Sequence, residues 1–346
     1  MTKICEIDPL QDPRWDEFVE SHPRASVFHT SRWLRALRLA YGYESSALCT
    51  VLPGERLSGA LVYCCVKSWL TGRRLVSLPF SDHCEPLVED REALETLLAY
   101  LNNRLRDEHW DYLELRPVTD VASRSRNVER SFSYLLHTVD LSKTKEALFS
   151  SFHKDCVQRK IRRAERESLT YESGNTEEIL MRFYGLFLRT RRRHHLPPQH
   201  HSWFRHLSRT FRDKLQFRVV SQKGQPVASI LTLKQGGTIT YKYGCSDPSR
   251  NNLGGMALLF WRTIEEAKSE GLMRFDLGRS EPQNTGLTNF KEHWASERSE
   301  LNYCRISDRR STDWSGWSRP LMEKMVPLMP DWSLVTAGKL LYRHIG

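Results

Sequence analysis

The chain reads as a mixed α/β protein of two related halves in tandem, and three observations carry that reading. Apolar residues alternate at period two in some stretches and recur at i, i+3, i+4 in others, so strands and helices interleave. The order hairpin, helix, strand occurs twice. It runs from Gly54-x-x-Leu57 through a helix at 92–105 to Glu114-Leu115-Arg116, and from Gly224-x-x-Val227 through a helix at 256–268 to Asp276-Leu277-Gly278. A length of 346 residues, 39% hydrophobic and with 10 tryptophans, is enough for two cores. The expected halves are 1–140 and 141–310, each a mixed central sheet flanked by helices, with a helical tail over 311–346.

In chain order, two short helices come first, the second capped by Thr30 or Ser31 and facing inward through Trp33, Leu34 and Leu37. Strands follow at Ser46–Leu52 and Leu57–Val66 around the Pro53-Gly54 turn, then at Leu75–Leu78, ahead of the polar stretch PFSDHCEP. Leu94, Leu97, Leu98, Leu101 and Leu105 mark a helix, and Trp110–Leu115 a strand stopped by Arg116-Pro117. The stretch from Val118 to Arg130 is polar and weakly patterned; Tyr134–Asp140 is a strand, and Ser142 is placed to cap the next helix. Helices are expected over Lys154–Arg166, on a seam of Val157, Ile161 and Ala164, and over Glu177–Arg193, ended by Pro197-Pro198. Strands at Leu215–Ser221, Val227–Lys234, Thr238–Gly244 and Leu301–Ile306 complete the second half. Beyond it, Leu321, Met325, Leu334, Leu340 and Leu341 lie on a proline-broken helical tail expected to pack on the chain's own core.

A net charge of +10 points to an anionic partner: RNA, a nucleotide-linked substrate or an anionic membrane surface. No apolar run approaches the roughly 20 residues of a membrane helix. The acidic start MTKICEIDPLQDPRWDEF lacks the apolar core of a signal peptide, so a cytoplasmic location is expected. The 8 cysteines include no C-x-x-C pair, and Cys64-Cys65 are adjacent, which favours free thiols. His194, His195, His200, His201 and His206 straddle two prolines without completing a ligand set, so no metal is expected.

Candidate chemistry concentrates between Gly224 and Trp294. Arg250 and the pair Gly254-Gly255 precede a helix whose first N–H groups favour an anion, although a plain glycine turn has the same pattern. Ligands of open α/β sheets gather beyond the carboxyl ends of strands, which singles out Asp276, Arg279 and Glu281. Asp276 can orient an amine or take its proton, or it can simply pair with an arginine. The following polar loop, QNTGLTNFKEHW, presents Lys291 between Phe290 and Trp294. There it is either a fixed positive charge for a developing oxyanion or a solvated side chain. Tyr241 and Tyr243 are expected on one strand face, reaching the same cleft or packing in the sheet. Lys154, Arg159, Lys160, Arg162, Arg163 and Arg166 form one basic cluster, and Arg189, Arg191, Arg192 and Arg193 a second. Either can grip phosphates, although a solvated face has the same composition.

The series KDCVQRKIRRAERESLTYESG, FYGLFLRTRRRHHLPP, PVASILTL, TYKYGCSD, LLFWRTIEEAKSEGLMRFDLGRS and GLTNFKEHW resembles the Fem-like (FemAB) branch of the GNAT acyltransferase superfamily. Within that branch it is similar to the exopolysaccharide- and exosortase-associated (PEP-CTERM) type. The resemblance implies two GNAT-like domains and direct attack of an amine on an activated carbonyl, without a covalent enzyme intermediate. It implies acyl or aminoacyl transfer onto an amino group of a cell-envelope glycan, peptidoglycan or exopolysaccharide precursor. Phe290-Lys291 match the Phe-Lys pair near the donor, Phe275 to Gly278 the FDLG strand end, and Thr190 and Arg192 the T-x-R of the helix. On the leading reading Lys291 and Asp276 are catalytic, with Phe290, Arg279, Tyr243, Arg192, Arg250, Gly254 and Gly255 on donor or acceptor.

The resemblance implies no tightly bound cofactor, and the donor is acyl-CoA or aminoacyl-tRNA. Asn251-x-x-Gly254-Gly255-Met256 departs from the acyl-CoA loop at its last position, and residues 154–193 leave no room for a long coiled-coil arm. The donor therefore stays open. Candidate partners are an anionic or lipid-linked glycan precursor, tRNA and the inner face of the membrane, but not DNA. Two alternatives stand beside this: an acetyl-CoA-dependent N-acetyltransferase of a sugar amine, and a non-catalytic double-GNAT module that binds an anionic glycan carrier or RNA.

Overall fold

Two hairpin–helix–strand repeats organise the computed structural model, which describes residues 3–122, 128–307 and 325–346. The strands are β1 (Lys3–Ile7), β2 (Glu44–Val51), β3 (Leu57–Ser68), β4 (Gly72–Ser77), β5 (Tyr112–Leu115) and β6 (Glu129–Asp140), then β7 (Thr170–Gly174), β8 (Leu215–Gln222), β9 (Gln225–Gln235), β10 (Thr238–Ser246), β11 (Arg274–Ser280) and β12 (Glu297–Ile306). The helices are α1 (Arg14–Ser21), α2 (Ser31–Tyr41), α3 (Arg91–Asp107), α4 (Lys145–Ser151), α5 (Arg159–Arg166), α6 (Glu177–Arg193), α7 (His201–Phe211), α8 (Gly255–Ser269), α9 (Thr285–Glu292) and α10 (Asp331–Leu341).

By its contacts the chain forms two units. The first comprises Met1–Tyr134, Glu300–Ser318 and Leu340–Gly346, and the second Leu135–Ser299 and Arg319–Lys339. Strand order is β1-β2-β3-β4-β5-β12 in the first and β7-β8-β9-β10-β11-β6 in the second. The pairings match one for one. Each unit is antiparallel except for one parallel pair, β4 with β5 and β10 with β11. That pair needs a crossover, supplied by α3 in the first unit and α8 in the second.

In the first unit, Leu94, Leu97, Leu98, Leu101 and Leu105 of α3 pack with Leu61, Tyr63, Leu75 and Leu113 of the sheet. Asp90 caps α3 by accepting from the Ala93 N–H, and Thr30 caps α2 through the Trp33 N–H. The stretch PFSDHCEP folds inward: Glu85 accepts from the N–H groups of Val118 and Thr119, and His29 Nε2 donates to the Glu85 carbonyl at 2.9 Å. Cys84 lies 3.5 Å from the same nitrogen, but burial pushes its thiol up, so the pair is no activated nucleophile. All 8 cysteines are free. The chain's last residues dock on this unit, where Tyr43 donates to the Tyr342 carbonyl and Arg74 to those of His344 and Gly346.

In the second unit, Val157, Ile161 and Ala164 are buried with Leu258, Leu259 and Ile264 of α8, as their spacing predicts. Leu334 of α10 is buried, while Leu321 and the start of the tail lie outside the described residues. No helix among the described residues is long and apolar enough to cross a membrane.

Several local expectations need correction. Thr144, not Ser142, caps α4, accepting from the Ala147 N–H; Ser142 instead bonds Asp140. The basic helix is broken, with a π-helical turn over Lys154–Gln158 leading into α5. The polar loop before Trp294 is largely helical: α9 starts on Asn284, whose side chain accepts from the Leu287 N–H. β1, β7 and α7 were not evident from periodicity; α7 buries Trp203, Phe204, Leu207 and Phe211 beside the histidines that had drawn attention as ligands.

Two glycines with nearly the same backbone differ in what surrounds them. Gly254 has φ +81°, and a Cβ there would lie 2.2 Å from the Lys160 carbonyl oxygen; Gly224 has φ +77° and nothing within 4 Å. Gly254→Ala is therefore expected to cost at least about 2 kcal/mol and Gly224→Ala about 1 kcal/mol. Denaturant midpoints measure both, and equal losses would refute the packing account. His29 gives a pH test, because burial holds its pKa down to about 4. Between that value and the ordinary 6.5 the unfolded chain binds more protons, so stability falls as pH drops through this window, by up to roughly 3 kcal/mol. His137 and His200, also near 4, act in the same direction. Melting temperature should decline from pH 7 towards pH 4.5, with a shallower slope in His29→Gln.

Candidate active site

The site is built on the one parallel strand pair of the second unit. β10 and β11 pair regularly from Thr238↔Arg274 to Thr240↔Asp276. Just past the last of these pairs each strand bulges against its other neighbour, β10 against β9 between Tyr241 and Tyr243 and β11 against β6 between Asp276 and Arg279. Bulges re-aim side chains and terminate pairing, so two neighbouring parallel strands change course at their carboxyl ends. There an α/β sheet receives ligands.

Gly278 turns the β11 bulge, with φ +68°. Its N–H donates to Asp276 Oδ1 at 2.7 Å, and its carbonyl accepts from Lys291 Nζ at 2.7 Å. The same ammonium donates to the Arg279 carbonyl at 2.9 Å. Asp276 and Lys291, far apart in sequence, thus meet on the backbone of one residue. Lys291 is only 2% exposed, which excludes the solvated alternative. Asp276 is buried as well. α9 positions the lysine because Thr288 and Lys291 share its buried face. Phe290 packs edge-on against Phe260 at 5.2 Å, so its ring anchors α9 to α8.

The bulge in β10 overturns the expectation that Tyr241 and Tyr243 share a face. Tyr241 packs on Phe260 of α8, whereas Tyr243 packs on Phe187 of α6 and Phe204 of α7. The extra residue between them breaks the alternation that spacing alone implies. The Tyr243 hydroxyl accepts from Trp203 Nε1 at 3.0 Å and Gln199 Nε2 at 3.3 Å.

The remaining sequence candidates are spread more widely. Gly254 and Gly255 open α8, where the first meets the Lys160 carbonyl and the second sits tight on Val227 and Ala228. Packing therefore accounts for both glycines. Arg250 lies half-buried in the turn before them, and Arg279 is half-buried past the β11 bulge. Glu281 is exposed. Arg192 donates to the Met329 carbonyl and to Asp331 at 2.8 and 2.6 Å, engaging the segment that leads into α10. Arg191 and Arg193 bond the Pro197 and Ser246 carbonyls. The second basic cluster is thus largely engaged within the fold. In the first, Lys154, Arg159, Lys160, Arg162 and Arg166 are exposed.

Ligand atoms of His153, Cys156 and His293 come within 4.8 Å of one another. However, His153 Nδ1 accepts from the Asp155 and Cys156 N–H groups, both at 3.2 Å. A metal-bound imidazole donates through its second nitrogen instead, so His153 serves as a helix cap.

Sequence reasoning missed His137, on β6 opposite the β11 bulge and fully buried. Its signal was a lone polar ring in the apolar strand YLLHTVD.

Residues 151–292 match the Acetyltransferase (GNAT) domain family, a span that holds α5, the β8–β11 sheet, Asp276 and Lys291. Among curated proteins, none matches the sequence. Among solved structures, the chain is similar to FemX, with a TM-score of 0.71 at 14% identity over 94% of this chain and 100% of that one. A tandem GNAT protein from the clavulanic acid biosynthesis pathway superposes with a TM-score of 0.58 at 14% identity, covering 90% and 100%. L-PGS from Bacillus licheniformis gives 0.55 at 15% identity, covering 97% of each chain. At these identities the likeness is one of fold, and the fold is a tandem GNAT arrangement of two mixed α/β units.

Proposed function

We propose that this protein is a Fem-type N-acyltransferase. It transfers an acyl or aminoacyl group onto an amino group of a cell-envelope glycan, peptidoglycan or exopolysaccharide precursor. The observation that carries the proposal is the end of β11, where a buried ammonium and a buried carboxylate hold one backbone unit beside parting parallel strands. The GNAT match over the same residues and the similarity in fold to FemX support it.

In the proposed reaction, the amine nitrogen bonds to the acyl carbon while the bond from that carbon to the donor's sulfur or ester oxygen breaks. Negative charge collects on the carbonyl oxygen in between. Lys291 supplies a fixed positive charge at that stage, in a site shielded from water where such a charge acts strongly. Asp276 orients the amine. Arg279 and Arg250 offer charge to phosphate or carboxylate groups of donor or acceptor, and the exposed basic face of α5 favours a polyanionic one. An anionic, lipid-linked acceptor would bring the protein to the inner face of the membrane from the cytoplasm.

Donor identity is tested by incubating the pure protein with acetyl-CoA and, separately, with alanyl-tRNA, each with a glucosamine-bearing oligosaccharide, and following donor loss by mass spectrometry. Consumption of one donor with a matching mass gain on the amine is expected. Salt-sensitive retention of RNA or glycan without product would favour the non-catalytic binding module. For Lys291→Met, kcat/KM should fall at least ~10-fold, about 1.4 kcal/mol of transition-state stabilisation. The variant also leaves two carbonyls short of a donor, which costs about 1–3 kcal/mol of stability. Near-normal turnover in folded Lys291→Met would remove this residue from the chemistry.

A further inference from the structure

α10 is apolar on two faces, and the fold covers only one of them. Of its 11 residues, DWSLVTAGKLL, only Asp331 and Lys339 carry charge. The inward face is fixed by close packing. A Cβ on Gly338 would collide with the Pro198 carbonyl oxygen, so the helix rests directly on that turn. Leu334, one turn earlier, is buried on the same face. Arg192 holds the N-terminal end through the Met329 carbonyl and Asp331. The rotation of α10 is thereby set within the second unit.

The outward face is the one without a role. Trp332 is 74% exposed and Leu340 64%, and at i and i+8 they fall on one helical stripe. Thr336 lies between them and donates its hydroxyl to the Trp332 carbonyl at 2.8 Å, so it adds no free donor. Just ahead, the 3-10 turn Val326–Leu328 buries its valine and leaves Leu328 85% exposed. Single exposed leucines are ordinary on protein surfaces, whereas an indole and two leucines along one short segment mark a contact surface.

Charge narrows what that contact is. Lys339 lies on the same stripe, and Arg343 follows in the turn after the helix. Both are exposed, and among the described residues neither has an ion pair. The one acidic residue from Met325 to Gly346, Asp331, is already paired with Arg192 at 2.6 Å. A second copy of the chain, docking face to face, would set these uncompensated cations against their own kind. Lysine is also depleted where protein partners bury an apolar patch. An anionic bilayer suits every group: acyl chains take the leucines, the indole sits at headgroup level, and lipid phosphates take the two cations.

We propose that the outward face of α10, with Leu328 ahead of it, docks on anionic phospholipid bilayers. The acyl-transfer reading brings the protein to a membrane only through a lipid-linked acceptor. This surface binds the bilayer itself and does not depend on that reading. At about 1.5 Å per residue α10 is roughly 16 Å long, about half the thickness of a hydrocarbon core. It therefore lies in the plane of the interface, with its inward face still seated on Pro198. With one short apolar stripe and two cations, attachment is reversible.

The test is co-sedimentation of the full chain with vesicles of phosphatidylcholine alone and of equal parts phosphatidylcholine and phosphatidylglycerol. Binding to the anionic vesicles is expected. The partition coefficient should fall at least about tenfold in the double variant Leu328→Ser, Trp332→Ser, and several-fold at high salt. Both side chains are exposed, so melting temperature should match wild type, as should turnover on the water-soluble glucosamine-bearing acceptor. Should the double variant melt lower, Lys339→Glu with Arg343→Glu is scored in its place and must also lose at least about tenfold. No sedimentation with anionic vesicles, no preference for them over neutral ones, or equal binding by wild type and variant each overturns the proposal. So does a wild-type dimer in sedimentation velocity that the double variant abolishes, because the face then joins two copies. None of these results bears on donor consumption, so the acyl-transfer reading stands or falls on its own assay.

Discussion

The second unit turns on a lysine ammonium held by two backbone carbonyls. Burying a charge costs several kcal/mol, and an apolar side chain of similar size would commonly serve stability as well or better. Lys291 nonetheless occupies a position that is almost wholly enclosed, with its Nζ on the Gly278 and Arg279 carbonyls. Asp276 takes the N–H of the same glycine, so the bulge is fixed from both of its polar ends. Only a residue tolerant of positive φ suits the turn, which explains the glycine of the FDLG strand end. A cation placed this way maintains a backbone shape and also sets a positive potential where β11 stops. Stability alone does not account for it.

The first unit shows what the same topology does when its strand end is closed. β5, the counterpart of β11, ends at Arg116, which also gives its charge to backbone carbonyls, those of Leu78 and Ser81. Its guanidinium also pairs with Glu114 at 2.8 Å and lies over the Tyr303 ring. The stretch after β4 folds into this space and buries Ser81, Asp82, His83 and Glu85. Both units thus place a cation on carbonyls at the carboxyl end of the parallel pair. In the first the cation comes from the strand and fastens a loop. In the second it comes from a helix and steadies a bulge.

The repeat was legible because its elements carry strong periods: the leucines of α3 at helical spacing, the alternation in β8 to β10, and Gly224 at a tight hairpin turn with φ +77°. The bulges were not, since an inserted residue leaves no mark on composition. The spacing of Tyr241 and Tyr243 therefore implied a shared face that the register denies. α9 was hidden by its polar sequence; Asn284 was the one clear start signal, and its buried face is polar, Thr288 and Lys291, where a helix usually shows an apolar stripe. His137 escaped notice because only the folded chain brings it to Glu292 of α9, 3.9 Å away. Sequence distance conceals such neighbours.

Much of the positive charge is spent inside the fold, as the arginines show. Arg191, Arg192 and Arg193 contribute to the positive count, yet each bonds a carbonyl of its own chain. Arg159 and Arg163 stand differently, since their partners Asp155 and Glu167 are neighbours one turn away on an exposed surface. Pairs of that kind hold their members by only about 0.3–0.5 kcal/mol. An arriving phosphate, with doubly assisted hydrogen bonds to a guanidinium, competes easily with them. The exposed face of α5 and the turn before it therefore carries positive charge that is not committed to the fold in that way. Gly254 ties that helix to the start of α8 through its close contact with the Lys160 carbonyl. The basic face of α5 thereby lies against the turn that carries Arg250.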